Sequence, residues 1–297
     1  MRTFVTGSGG FVGQWLCRHL DACGDDVIEA SETFDVTDPE GVRKVIIAAQ
    51  PEVLIHLAAR SHVGESWKNP VATFETNATG TLHVLDAALA CDQPPTVLLI
   101  SSAEVYGNVQ EHQLPLKEAE PLAPVTPYAS SKVAAEFLGL QAFLGTKLPV
   151  IRTRSFNHVG PGQAPNFVIS ALAQRIVNAE RSGDSELRVG NLEARRDFTD
   201  VRDVVRAYRL LVEHGRAGEV YNVCSGRDRS VSYVAGRLLA LSGAKLELVV
   251  DADLVRPVEL PVLRGDNLAI RQVTGWSPEI DLDQTLSDVL RYWREQD

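Results

Sequence analysis

The chain has 297 residues, 44% of them hydrophobic and 23% charged, ordinary values for a soluble globular protein with room for a real core. Its formal net charge of -10 argues against non-specific binding to nucleic acid or an anionic membrane, although a local pocket can still be basic. The four cysteines, Cys17, Cys23, Cys91 and Cys224, are scattered without metal-ligand spacing; they read as small apolar residues of a reduced, cytoplasmic protein, and no metal is expected. The opening MRTFVTG reads as a strand rather than a signal peptide, and no apolar run approaches the ~20 residues of a membrane span.

Residues 3–6 form a short apolar strand and residues 11–23 a helix with apolar side chains at helical spacing. A second strand at 27–30 precedes a helix at 39–50, with Thr37 or Asp38 as its cap and Pro39 in its first turn. Then come a buried strand at 53–57, a long helix at 71–91, a strand at 96–101, a helix at 128–144 and a strand at 149–154. Such alternation implies βαβ units and a parallel sheet, with ligands beyond the carboxyl ends of its strands. After Asn157 the periodicity loosens into Gly- and Pro-rich stretches at 158–165 and 188–200, residues 200–224 return to the sheet, and helices follow at 232–242 and 282–295. The expected architecture is α/β: a Rossmann-type doubly wound parallel sheet from residues 1–160 plus about 198–224. A smaller mixed α/β substrate-binding domain is expected from about 161–197 plus 225–297.

Thr6-Gly7-Ser8-Gly9-Gly10-Phe11-Val12-Gly13 joins the first strand to the first helix. Glycines at 7, 10 and 13 permit a tight turn, close approach to a pyrophosphate and close packing of helix on strand, while the helix N-terminus faces the phosphate charge. Gly7, Gly10, Phe11, Val12 and Gly13 are therefore candidate contacts of a nicotinamide dinucleotide. At the end of the second strand, an acid would bind the adenosine ribose hydroxyls and an Arg would accept the extra phosphate of NADP. Ser31 stands at that point, followed by Glu32, with no Arg beside them, which leaves NADPH and NADH both open. Asp35, followed by Val36, can accept from the adenine amino group or serve a turn and cap. His56-Leu57-Ala58-Ala59 ends a strand with small residues that leave room for a ligand; His56 itself reads as a packed polar residue.

Tyr128 and Lys132 are four residues apart on one helix, so they share a face. A phenol of unperturbed pKa about 10 is a poor acid–base group at neutral pH, and a neighbouring ammonium draws it towards the working range. Ser102, at the end of a strand, can hydrogen-bond a reacting oxygen. A Tyr–Lys pair alone is common; with the dinucleotide loop and Ser101-Ser102-Ala103-Glu104-Val105-Tyr106-Gly107 it is much more specific.

These residues resemble the extended short-chain dehydrogenases/reductases that act on nucleotide sugars. The resemblance spans essentially the whole chain and rests on TGSGGFVG at 6–13, DVTD at 35–38, HLAA at 56–59, NATGT at 77–81, SSAEVYG at 101–107 and YASSK at 128–132. It implies Ser102, Tyr128 and Lys132 as catalytic residues, with Tyr128 and Lys132 also touching the cofactor. It implies Asn77 as a structural, water-organising residue near Lys132, and a homodimer through a four-helix interface of the helices at 71–91 and 128–144.

The stretches at 59–67, 154–163, 189–201 and 256–259 are similar to those of the GDP-4-keto-6-deoxy-D-mannose reductases. That similarity implies a GDP-linked 4-keto-6-deoxyhexose as substrate and GDP-D-rhamnose as product. Ser66, Ser102, Glu104, Asn157, Val189, Asn191, Arg196, Arg256 and Glu259 are the implied substrate contacts. Arg196 and Arg256 suit a diphosphate that an acidic protein would otherwise repel, and Glu259 suits the ribose or guanine. Three alternatives stay open. A GDP-mannose 4,6-dehydratase would use Glu104 as an additional acid–base group, although its pattern has Thr where Ser102 stands. A 4-reductase of the opposite face would give GDP-6-deoxy-D-talose. A cofactor-binding regulator would not turn over, against which the intact Ser102, Tyr128 and Lys132 speak.

Overall fold

The computed structural model describes residues 1–31, 33–251 and 260–296. Strand β1 (Arg2–Thr6) runs into helix α1 (Phe11–Ala22), followed by β2 (Asp26–Glu29), α2 (Pro39–Ala49) and β3 (Val53–His56). A short α3 (Val63–Lys68) leads to α4 (Pro70–Phe74), a π-helical turn (Glu75–Thr79) and α5 (Gly80–Leu89). The helix expected over 71–91 is thus interrupted by a wider turn, and that turn carries the buried Asn77. Next come β4 (Thr96–Ser102), α6 (Pro127–Thr146), β5 (Val150–Ser155) and β6 (Asn157–Val159). The second half contributes α7 (Val168–Ser182), β7 (Glu186–Val189), β8 (Arg195–Asp200), α8 (Val201–His214) and β9 (Val220–Val223). It ends with β10 (Asp228–Ser230), α9 (Val231–Ser242), β11 (Glu247–Val250), β12 (Val262–Leu263), α10 (Leu268–Thr274) and α11 (Leu282–Glu295).

Six strands form one parallel sheet in the order β2-β1-β3-β4-β5-β9. Both of its faces are apolar, because successive residues of a strand point to opposite sides. Val5, Ile55 and Leu98 pack with Leu16 of α1 and Tyr208 of α8, whereas Phe4, Leu54 and Leu99 pack with Ile46 of α2 and Val84 of α5. The strand order reverses between β1 and β3, where Thr6 lies opposite His56, and a crevice opens beyond such a reversal. Residues 200–224 do return to this sheet, as α8 on its face and β9 at its edge. The chain comes back once more, placing Ile270 of α10 and Trp276 in the same core.

A second core joins α7, α9 and α11 through Ile169, Leu172, Ile176, Val234, Leu238, Leu286 and Val289. Around it β8 pairs with β6, β10 and β12, and β7 pairs with β11. Helix α7 is absent from the sequence-based expectation, although Val168, Ile169, Leu172, Ala173, Ile176 and Val177 have its i, i+3, i+4 spacing. Its N-cap Phe167 makes no side-chain cap bond, so the usual start signal is missing. Among the described residues, no helix is long and apolar enough to cross a membrane.

Candidate active site

The glycine loop sits at the point where the strand order reverses. Gly7 has φ +69°, and a Cβ there would lie 2.9 Å from the Ala58 nitrogen. A Cβ on Gly13 would lie 2.2 Å from the Gly7 carbonyl oxygen, so helix α1 can pack this closely on the loop only without a side chain. The N-cap of α1 is Gly10, which makes no side-chain cap bond, and the first turn carries no acid. The free N–H groups and positive end of the helix therefore point at open space, the arrangement that holds a phosphate. Ser8 Oγ donates to the Ala30 carbonyl at 3.1 Å, tying the loop to the end of β2. Across the crevice His56 is fully buried between Thr6 Oγ1 (2.8 Å) and Thr81 Oγ1 (3.1 Å). Burial first, and the Lys132 charge second, push its pKa down to about 3, so it is a neutral packed residue.

Helix α6 begins one residue before Tyr128, with Pro127 in its first turn and the Thr126 hydroxyl accepting from Ala129 N at 3.0 Å. The strand end of β4 delivers Ser102 to the same place. The Tyr128 phenol is buried and hydrogen-bonded to Ser102. Burial pushes the phenol up to about 12; the Ser102 bond opposes this and the Glu104 charge adds to it. The ammonium was expected to draw this phenol down; in the structure burial and the Glu104 charge raise it. Lys132 Nζ donates instead to the Ile100 carbonyl at 2.8 Å, and burial brings its pKa down to about 8. At neutral pH the site therefore holds a protonated phenol and an ammonium.

A cavity of about 700 Å³ connects these groups, a size suited to a small ligand and part of a cofactor. Gly7, Gly10, Phe11, Val12, Gly13, Leu57, Ala58 and Ala59 line it at one end, with Ser102, Glu104, Tyr128 and Lys132 along the middle. Asn157, Val189, Asn191 and Arg196 line it beyond them. Arg196 is held in place by its strand: Arg195 forms an ion pair with Asp228. Asp197 accepts from Ser225 N at 2.8 Å, Ser225 Oγ at 2.6 Å and Gly226 N at 2.9 Å. Burial raises the Asp197 carboxyl to about 6 against these bonds.

The residue-29-to-289 stretch matches the family model described as GDP-mannose 4,6 dehydratase. The chain belongs to that family. It is 38% identical, over 99% of this chain and 98% of the other, to the GDP-6-deoxy-D-mannose reductase of Pseudomonas aeruginosa. It is 30% identical, over 93% of this chain and 92% of the other, to the GDP-6-deoxy-D-talose 4-dehydrogenase of Aggregatibacter actinomycetemcomitans. The solved structure of RMD from Pseudomonas aeruginosa complexed with NADPH superposes with a TM-score of 0.93 at 37% identity, covering 99% of each chain. As a member of this family with a Rossmann-type sheet, the chain is an NAD(P)-dependent oxidoreductase of the extended short-chain dehydrogenase/reductase type, and its cofactor is NADPH or NADH. The glycine cradle and uncapped α1 terminus fit the pyrophosphate of that cofactor.

Several residues singled out from the sequence lie off the cavity. Ser31 is exposed at the end of β2, its hydroxyl 3.1 Å from Thr33 Oγ1. Asp35 Oδ1 accepts from Thr37 N and Thr37 Oγ1, both at 2.8 Å, forming a turn ahead of α2, and Val36 is buried beneath it. Asn77 donates to Arg60 O at 3.1 Å and Ser131 Oγ at 2.9 Å, so it braces α6 one residue from Lys132. Ser66 donates to Val63 O at 2.6 Å and accepts from Tyr128 N at 3.2 Å, which joins α3 to the start of α6. Arg256 and Glu259 lie outside the described residues. Conversely, His62, His158, Gln163, Phe167, Leu172 and Arg175 line the cavity without having been singled out. His158 stacks on Phe11 with ring centroids 6.2 Å apart and planes at 18°. The periodicity of α7 was the signal available for Leu172 and Arg175.

Proposed function

We propose that the protein reduces GDP-4-keto-6-deoxy-D-mannose to GDP-D-rhamnose, with NADPH in preference to NADH. The observation that carries this is the buried phenol of Tyr128: with its pKa at about 12 and Ser102 bonded to it, it holds a proton at neutral pH, as the acid of a reduction must. When bound, the reduced nicotinamide supplies hydride to the keto carbon. Tyr128 gives its proton to the forming alkoxide, and Ser102 donates a hydrogen bond to the same oxygen. Lys132, anchored on the Ile100 carbonyl, lends its charge to the phenolate left behind. Arg196 meets the diphosphate. Ser31, in place of an acid at the end of β2, leaves room for a 2′-phosphate, and the Pseudomonas aeruginosa relative was solved with NADPH.

Glu104 gives the dehydratase reading its support, since it lines the cavity and its charge acts on Tyr128. Against that reading stand Ser102 and the full-length match to a reductase. Incubation with GDP-4-keto-6-deoxy-D-mannose and each reduced cofactor, with NMR of the product, tests the proposal. Cofactor oxidation with a rhamnose product supports it. A talo product would replace the stereochemistry, and dehydration of GDP-mannose with no reduction would replace the reaction. The protein acts as a homodimer: Val71, Phe74 and Leu82 along α4 and α5, and Phe137 and Leu144 two turns apart on α6, are large apolar side chains left exposed. Light scattering that finds only monomer at micromolar concentration would refute the dimer.

A further inference from the structure

The cavity is also lined by a guanidinium that the reaction does not use. Arg175 lies on α7 and lines the cavity with Ala171 and Leu172, facing Val189, Gly190 and Asn191 at the end of β7. It also borders a second cavity, between α7 and β7, of about 660 Å³. Its Nη1 donates to the Arg188 carbonyl at 2.9 Å, and among the described residues it has no carboxylate partner. Of the acids lining that second cavity, Asp251 pairs with Arg188 at 3.4 Å and Asp184 with Ser182 Oγ at 2.6 Å, and Glu186 stands with them.

Many arginines of this acidic chain are held by carboxylates, and Arg175 is not among them in the described residues. Arg154, Arg195, Arg202, Arg209, Arg237 and Arg294 all pair with acids. A half-buried guanidinium without an acid, in a concave site, has Nε and Nη2 left to donate. Its immediate neighbours Leu172 and Val189 are apolar walls, which suit the faces of a flat ring better than a diphosphate. The glycine loop, Tyr128, Arg196 and Arg175 all line this one cavity. A nucleotide sugar with its keto carbon at Tyr128 and its diphosphate at Arg196 can set its base against Arg175.

We propose that Arg175 reads the nucleobase of the substrate and selects guanine, by donating two N–H groups to guanine O6 and N7. Guanine presents two adjacent acceptors on that edge, and the planar fork of Arg matches them; adenine places an amino donor there instead. The proposal rests on the nucleotide-sugar function above.

Calorimetric titration of the full chain with GDP, ADP and 7-deaza-GDP, for wild type, Arg175→Met and Arg175→Lys, tests it. NADPH affinity serves as the check of folding. Wild type should prefer GDP and bind 7-deaza-GDP more weakly. Arg175→Met should weaken GDP binding by about tenfold or more, leave ADP nearly unchanged and show no further loss with 7-deaza-GDP. Arg175→Lys, which keeps the charge and loses the fork, should not restore the preference. Equal losses for GDP and ADP with rescue by Lys would overturn the proposal in favour of a phosphate contact. Wild type indifferent to the N7 replacement would overturn it without recourse to any variant. Wild type binding neither GDP nor ADP would overturn the nucleotide-sugar function itself, and this inference with it; selective GDP binding unaltered in the variants overturns only the role of Arg175.

Discussion

The two ends of the cavity are built from different materials. At the cofactor end the chain offers backbone: a glycine turn with φ +69° at Gly7 and an uncapped helix terminus. At the other end it offers side chains from α7, β6, β8 and the turn after β7, among them Arg175, Asn157, Arg196 and Asn191. A backbone site is complete within one strand–helix junction and needs nothing from the rest of the chain except room. A side-chain site exists only after several distant elements have been fastened together. In this molecule buried acids do the fastening. Asp197 holds the loops at Ser225 and Gly265, and Asp200 takes Arg202 and Thr285 from two other elements. Asp203 takes Glu279 N and Ile280 N.

The middle of the cavity, where the two ends meet, should show the largest effect. Tyr128→Phe removes the proposed proton donor without altering either end, so turnover should fall about a thousandfold, with NADPH and GDP affinities nearly intact. Single-turnover kinetics beside fluorescence titration checks this, and near-wild-type turnover would remove Tyr128 from its role. The contrast between the ends is tested by a pair of variants. Gly13→Ala sets a Cβ 2.2 Å from the Gly7 carbonyl and should lower NADPH affinity by more than about tenfold. Arg196→Ala should raise KM for the sugar nucleotide by a similar factor while NADPH binding holds. If each variant damaged both affinities equally, the two ends would not be separately built.

Asp197→Asn probes the fastening. It trades an acceptor for a donor opposite backbone N–H groups and should cost about 1–3 kcal/mol of stability, read as a lower Tm. The native carboxyl, raised to about 6, binds its proton more firmly folded than unfolded. Its contribution to stability therefore falls as pH rises from about 4 to about 6, and the variant should lack that component. The smallest effect is on the pH profile. With Lys132 at about 8, kcat/KM for reduction should be flat near neutrality and decline above pH about 8 as the ammonium is lost. A profile still flat at pH about 10 would detach Lys132 from the chemistry.

The cofactor half was the legible half for the same reason. Glycine spacing at 7, 10 and 13 and strict strand–helix alternation are local signals, and α1, α2 and strands β1 to β5 lie within a residue or two of where periodicity puts them. Helix α7 escaped because its start lacks a capping side chain, and with it went Leu172 and Arg175. The wider turn at Glu75–Thr79 escaped because a π-helical turn leaves the apolar spacing almost unchanged. Ser66 was singled out for the substrate, and the structure instead engages it with Tyr128 N, a partner 62 residues away that no local pattern reveals.

By itself the sequence determined which residues share a face and which junction must be made of glycine. Those properties follow from 3.6 residues per helical turn and from the volume of a Cβ. Only the tertiary structure decided how those residues behave. Burial of Tyr128 raises its phenol when the sequence spacing had the ammonium lowering it. Folding brings α7 against the end of β7, so that Arg175 faces the cavity. Desolvation and the pairing of distant groups depend on the whole packed assembly, and no window of neighbouring residues contains them.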